Sequence, residues 1–381
     1  MIKIFLNELR RIFSDSGVLI FFIVVPLLYP ALYSWLYNNE VVREVPTVVV
    51  DDSKSSLSRE LIRRLNATPD LNVAAYEENI DEARQHIMRQ EARGIVYIPS
   101  SFAADIHSHR QTTVSLYVDM SSMLYYKSLL TSLTNVTLDM GSDISVAMLN
   151  SQTAREEQIA ASPLSYEAVP MFNPGGGYGC FLIPAVLMLV IHQTLILGIG
   201  LASGTAREKN SGRKLVLRED APFGIARIIL GKTLCYFMVY FVMACYITMA
   251  IPRIFNFIQL ADFWQIIAIL VPFMLATIFF ALALSCLMQQ REHVMLIIIF
   301  TSVPLLFISG IPWPVSSLGA SFKAISYIFP STFGINAFVK VNSMGASLGD
   351  IVFELRALWI QAAVYFLLAL YVWKPKRWTQ E

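Results

Sequence analysis

The sequence predicts an α-helical polytopic membrane protein: six transmembrane helices, an inserted α/β extracytoplasmic domain, and re-entrant helices at the outer surface. Three observations lead there. The 381-residue chain is 55% hydrophobic and 15% charged, with a mean hydropathy of +0.55, too apolar for a soluble protein. Apolar runs long enough to cross a bilayer recur near 17–37, 181–202, 227–251, 264–288, 293–311 and 354–373. Between the first two runs lies a polar stretch of alternating short apolar and amphipathic segments, the pattern of a small α/β domain. The expected division is 1–39, an interfacial helix and the first span; 40–172, the α/β domain; and 173–381, spans two to six.

Residues 1–16 set Ile2, Ile4, Phe5, Leu6, Leu9, Ile12 and Phe13 against Lys3, Glu8, Arg10 and Arg11, an amphipathic helix suited to a membrane surface. The first span follows from Gly17, with Pro26 and Pro30 as kink candidates. It is too long for a signal-peptide core and runs into aromatics, so it reads as an uncleaved anchor.

In the polar stretch, strands are expected at Pro46–Asp51, Leu71–Tyr76, Gly94–Ile98 and Thr113–Asp119. Helices are expected at Ser56–Leu65, Ile80–Gln90 and Ser101–His109. A long helix over Ser122–Ser151 carries a stripe of Tyr126, Leu130, Leu133, Thr137, Met140, Ile144 and Met148 near the heptad period. Asn173 to Gly179 (NPGGGYG) reads as a hinge into span two.

The segment from Ser309 to Asp350 is broken by Pro312, Pro314 and Pro330 into apolar pieces too short to span, Phe322–Phe329 and Phe333–Val339. Such pieces suit re-entrant or interfacial helices, with Trp313, Tyr327 and Phe329 in the interface belt.

Net charge is +1 and names no partner, but its distribution sets topology. Lys3, Arg10 and Arg11 precede span one. Five basic residues from Arg207 to Arg218 lie between spans two and three. Arg291 lies between four and five, and Lys374, Lys376 and Arg377 follow six. The other side has only Arg253, Lys323 and Lys340 between spans. Both termini are therefore expected in the cytoplasm, in a multi-pass cell-membrane protein. Residues 41–172 hold eleven Lys and Arg against seventeen Asp and Glu, mildly acidic, as a translocated domain can be. No basic run is interleaved with aromatics, so no nucleic-acid partner is expected. All four cysteines sit in or beside apolar runs and read as packing residues.

Motifs are few. Gly231-Lys232-Thr233 ends like a phosphate-binding loop, but the required earlier glycine is Ala226, so no cofactor is expected on this chain. His192 lies inside span two, where an ionisable residue is a functional candidate; the other reading is a neutral, hydrogen-bonded histidine. His107 and His109 have no partners at metal-ligand spacing, and no metal site is expected. Gly200 with Gly204, and Thr277, Ala281 and Ser285, are small-residue repeats that let helices approach closely.

The order of parts resembles a type-2 ATP-binding-cassette exporter permease of the multidrug-like branch with a large external domain. Val50-Asp51-Asp52-Ser53 and Ser56 to Leu61 resemble the external-domain opening; Gly94 to Pro99 with Phe102 resemble its later strand and turn. Arg207-Glu208-Lys209, Gly212, Pro222 and Gly231-Lys232 resemble the loop that enters the ATPase. Ser309-Gly310, Pro312, Tyr327 and Pro330 resemble the outer re-entrant region. The pattern departs at Arg213 and Leu215, where the family commonly has Thr and Glu.

The resemblance implies ATP-driven export of amphipathic or hydrophobic cargo from the cytoplasm or inner leaflet. It implies a cytoplasmic ATPase dimer, which binds the ATP and Mg, gripping loop 204–226 through Arg207, Glu208, Lys209, Gly212, Arg213, Lys214 and Pro222. It implies a second permease copy or a related permease, a bacterial inner membrane, and an option of a periplasmic adaptor. Tyr29, Tyr33, Phe181, His192 and Phe307 are candidates for the substrate pathway. Two other functions are a receptor or scaffold presenting the external domain, which needs fewer spans, and a proton-coupled transporter using His192, which lacks an intramembrane carboxylate in spans one to five.

Overall fold

The computed structural model describes residues 2–149, 153–161, 169, 171–209, 224–285 and 291–373. Two compact units emerge: residues 1–40 with 170–381, and residues 41–169.

The helical unit starts with α1 (Ile2–Ser14). Asp15 then caps α2 (Ser16–Leu19), accepting from the Gly17 and Val18 amides. A π-helical turn, Ile20–Val24, joins α2 to α3 (Val25–Leu36), making one apolar rod over Ser16–Leu36. After the α/β unit come α9 (Tyr178–Lys209) and α10 (Gly224–Cys245). A π turn, Tyr246–Ala250, carries α10 into α11 (Ile251–Ile254). Then follow α12 (Phe263–Ser285), α13 (Arg291–Ile308), α14 (Ala320–Ser326), α15 (Pro330–Met344) and α16 (Val352–Val372).

Five described helical segments are long and apolar enough to cross a membrane: Ser16–Leu36, Tyr178–Ala206, Gly224–Ile254, Phe263–Ser285 and Val352–Val372. The fifth expected span corresponds to a shorter apolar helix, Glu292–Ile308. At 1.5 Å per residue an 18-residue helix such as α13 is about 27 Å long, just under a typical hydrocarbon core.

α9 is the hub, packed against α3, α12, α13 and α15. Of its apolar window 89% lies inside the unit, against 22% for Ser16–Leu36 and 28% for α16. Equally apolar helices with such different burial mean that α9 is core, while the first and last rods turn apolar faces outward, as lipid or a partner requires. Gly198 of α9 is needed for closeness: a Cβ there would run into the Phe22 ring. Phe22 in turn stacks on Tyr236 (5.6 Å) and meets Tyr240 edge-on (5.9 Å). The Thr277, Ala281 and Ser285 repeat is buried within the same unit.

The 309–350 segment holds two helices, α14 and α15, on either side of the break expected at Pro330, but the second is longer and more buried than a surface piece. Pro330 opens one 15-residue helix, α15, at a position where its missing N–H costs nothing. Gly345, at φ +65°, closes it in the left-handed region. α15 is interior: Phe333, Ile335, Phe338 and Val341 are buried against α9, α12 and α16. Side chains satisfy the irregular backbone beside it, as an apolar setting demands. Asn336 donates to Ser309 O (3.1 Å), Gln361 to Tyr327 O (2.8 Å), and Tyr365 to Ile328 O.

The α/β unit holds β1 (Val45–Asp51), α4 (Ser56–Asn66), β2 (Leu71–Glu77), α5 (Ile80–Met88), β3 (Gly94–Ile98), α6 (Phe102–His107), β4 (Ser115–Val118), α7 (Met123–Leu149) and α8 (Ala154–Ala161). The sheet order is β2-β1-β3-β4, with β1 parallel to both neighbours and β4 antiparallel to β3. β1 is buried on both faces, which is why it reads as a valine run rather than an alternation. Val45 and Val49 pack with Leu61 and Leu65 of α4 and Leu129 and Leu133 of α7; Val48 and Val50 pack with Ala83 of α5 on the other side.

The α7 stripe needs correction. Leu129, Leu133, Val136 and Met140 are the buried set, whereas Leu130 and Met148 are exposed. Leu133 and Met140 fit either phase, so the choice between Leu129 and Leu130 falls to the sheet beneath the first turns.

Candidate functional site

The amphipathic α1 does not turn all its charges to solvent. Glu8 lies four residues before Ile12, on the same face, and both are buried. Lys232 and Tyr236 sit four apart on α10, so they share a face as well. The Lys232 Nζ lies 3.0 Å from Glu8 Oε1, and the Tyr236 hydroxyl donates to the same oxygen. Arg11 reaches the other oxygen at 3.6 Å. Lys232 also stands 5.6 Å from the centre of the Trp373 ring, just past α16. One buried carboxylate thus ties α1 to α10, with the end of α16 beside it. Burial works to raise the Glu8 pKa, but the Lys232 charge and the hydrogen bonds from Tyr236 and Lys232 outweigh it. The carboxyl is held below its usual range.

At the same end of the unit, Arg10, Arg11 and Asp15 line a cleft of about 300 Å³ with Thr205 and Ala206 of α9. The next residues of α9 are Arg207, Glu208 and Lys209, its last turn. Gly212, Arg213, Lys214 and Pro222 lie outside the described residues. α10 begins at Gly224.

The pathway candidates separate into groups. The Tyr29 and Tyr33 rings meet at a tilt with centres 4.7 Å apart, and their hydroxyls are 3.1 Å apart. The row continues through Tyr37 (6.2 Å), Tyr178 (5.7 Å) and Phe181 (6.2 Å). Tyr37 and Tyr178, which the sequence reading did not single out, are the links. The spacing of 29, 33 and 37 was the available signal. The Tyr178 amide also donates to Glu40 O (2.9 Å). Phe307 is half-exposed on α13, and its neighbour Leu306 packs beside Tyr33 and Tyr178. His192 stands apart. It is fully buried, between Phe273 (6.4 Å) and Phe280 (6.3 Å), with neither ring nitrogen hydrogen-bonded among the described residues.

The sequence pattern that defines the ABC-2 family transporter proteins matches residues 16–371. The chain belongs to that family. Comparison with individually curated proteins gives no match. Membership makes this a multi-pass membrane permease of an ABC transporter, a transport subunit whose setting implies an ATPase partner.

In this ABC-2 permease Gly231, Lys232 and Thr233 are buried within a helix, and Lys232 is spent on Glu8. That geometry is unlike a phosphate loop, which opens a helix with free amides. Among the described residues no cluster of three His, Cys, Asp or Glu is placed to hold a metal. The Glu8–Lys232 pair went unread because its members are 224 positions apart and each had a bland local explanation. The clue was a lone lysine inside an apolar run and a lone glutamate on the apolar face of α1.

Proposed function

We propose that this ABC-2 permease is the membrane subunit of an ATP-driven exporter moving amphipathic or hydrophobic cargo. The observation that carries the reading is the family match over residues 16–371, nearly the whole chain. It is supported by the basic turn at Arg207–Lys209 between two long apolar helices.

In this reading α13 completes a set of six spans, and both termini and loop 204–226 face the cytoplasm of a bacterial inner membrane. The α/β unit lies outside. Arg207, Glu208, Lys209, Gly212, Arg213, Lys214 and Pro222 meet a soluble ATPase dimer, which supplies ATP and Mg. Closure of that dimer on ATP pushes the loop, and α9 and α10 carry the displacement upward. The Glu8–Lys232 pair moves α1 with them. A second copy, or a related permease, covers the outward apolar face of Ser16–Leu36, and the Tyr29 to Phe181 row with Phe307 borders the path between copies. A periplasmic adaptor is a further partner at the α/β unit.

The test is co-purification with candidate ATPase subunits, reading ATP turnover in lipid for wild type and a Glu208→Ala, Arg213→Ala variant. Turnover that needs the permease and falls about tenfold with the loop change, a loss of about 1.4 kcal/mol in coupling, supports the reading. Failure of every ATPase to associate contradicts it and favours a receptor that presents the α/β unit.

A further inference from the structure

The α/β unit contains a cleft of about 700 Å³, within the size range of small-molecule sites. It opens at the carboxyl ends of the parallel strands β1 and β2, where Asp51 and Glu77 end their strands. β1 is the strand from which the sheet builds in both directions, with β2 on one side and β3 on the other. Open α/β sheets bind ligands outside the carboxyl ends of their parallel strands; this cleft lies on the β2 side of β1, with α4 as its wall.

The chemistry of the lining is uneven. Asp51 is occupied: it accepts from the Ser53 and Lys54 amides (3.0 Å each) and from the Ser58 hydroxyl (2.7 Å). This turn holds Lys54 at φ +47°, directly before the cap of α4. Arg63 is spent on Glu60 (2.7 Å) and Glu77 on His86 (2.7 Å). Lys54 and Arg59 remain. Both are exposed, and neither has an ion-pair partner among the described residues. Glu78, after β2, also lines the cleft and makes no bond to another group among the described residues. Apolar surface comes from Ile62 and from the Tyr76 ring, which is 65% exposed.

We propose that this cleft binds a small organic anion, a phosphate or carboxylate held by Lys54 and Arg59 with its apolar part against Tyr76 and Ile62. Lys54 stands just before the N-cap of α4 and Arg59 at the end of its first turn, where the helix dipole also favours an anion. The site stands on the α/β unit alone and does not depend on the transport reading.

The probe is phenyl phosphate, added to the full chain in lipid nanodiscs while hydrogen exchange is followed by peptide. Expected is slowed exchange confined to peptides covering 51–66 and 71–78, half-saturating at about millimolar concentration. Lys54→Gln with Arg59→Gln should weaken it about tenfold or more. Tyr76→Ala should weaken phenyl phosphate but leave the weaker effect of inorganic phosphate unchanged. Arg110→Gln, an exposed cation elsewhere on the unit, should leave both unchanged. All four positions are surface ones, and an unchanged exchange pattern without ligand establishes that each variant folds. The proposal is overturned by no slowing at about 10 mM in wild type, by equal slowing in the Lys54, Arg59 double variant, or by equal slowing with benzyltrimethylammonium, which carries the same ring and the opposite charge.

Discussion

The two units handle charge in opposite ways. In the helical unit Glu8 and Lys232 keep 3% and 10% of their side chains exposed and share a single carboxylate oxygen with Tyr236. In the α/β unit Arg64 reaches Glu60, Asp139 and Asp143 at 2.9, 2.9 and 2.7 Å, but Asp139 and Asp143 are 72% and 59% exposed. The second network has three ion pairs to the first's two, at shorter distances. It is nevertheless the weaker constraint, because water screens exposed pairs and competes for their hydrogen bonds. A buried pair is held by the cost of leaving either charge alone. The number of salt bridges therefore says little about which one holds a structure in place.

The largest effect is expected from breaking the buried pair on one side. Glu8→Ala strands Lys232 and should lower the stability of the helical unit by about 3–5 kcal/mol, read as an unfolding midpoint in detergent. Glu8→Leu with Lys232→Met should recover most of it, since neither charge is then stranded. If the single change costs nothing, Lys232 has water at hand and the contrast with the α/β unit disappears. Next comes Gly198→Leu, which forces a side chain into the Phe22 ring and should cost about 1–3 kcal/mol by overpacking. Ser55→Ala removes the cap that accepts from the Ser58 amide and should cost the α/β unit about 1 kcal/mol. Arg64→Ala should move the same midpoint least, and raising salt should erase the difference.

pH sharpens the comparison because His86 in the α/β unit and Glu8 in the helical unit carry shifts of opposite sign. His86 sits between Glu77 (2.7 Å) and Glu91 (2.8 Å), and the hydrogen bond to Glu77, with that to Glu91, raises its pKa against a smaller desolvation. A raised folded pKa gives stability that is complete below the ordinary histidine value of about 6.5 and lost as pH rises through the folded value. Glu8 is lowered, so its contribution is present above the ordinary carboxylate value of about 4.3 and lost as pH falls through the folded one. The α/β unit should thus weaken above about pH 6.5, and His86→Gln should flatten that slope. The helical unit should weaken on the acid side, and Glu8→Gln should flatten that one.

What the sequence disclosed follows the same division between local and long-range causes. Val45–Asp51 and Gly94–Ile98 lie within a residue of their expected bounds, because valine-rich runs between turn residues leave little choice. Five of the apolar rods were legible from length and hydropathy alone. The phase of α7 was not, because Leu129 and Leu130 are equally apolar and only the sheet beneath decides between them. Nor was the depth of α15: prolines announced a break at Pro330, but Phe333 to Val341 read the same at a surface as in a core. The tie between Glu8 and Lys232 and the cleft flanked by Lys54 and Arg59 both depend on which charges find partners, which no local pattern records.

In the proposed mechanism the end of the helical unit bearing α1, the last turn of α9 and the first turns of α10 receives the work of an ATPase. The direct measurement is ATP turnover by the permease–ATPase complex in lipid, compared among wild type, the Glu208→Ala, Arg213→Ala variant, and Glu8→Leu with Lys232→Met. Both variants should keep the wild-type stability within about 1 kcal/mol and lose permease-dependent turnover, the loop variant more. Turnover equal to wild type in both, with the ATPase still bound, would contradict it.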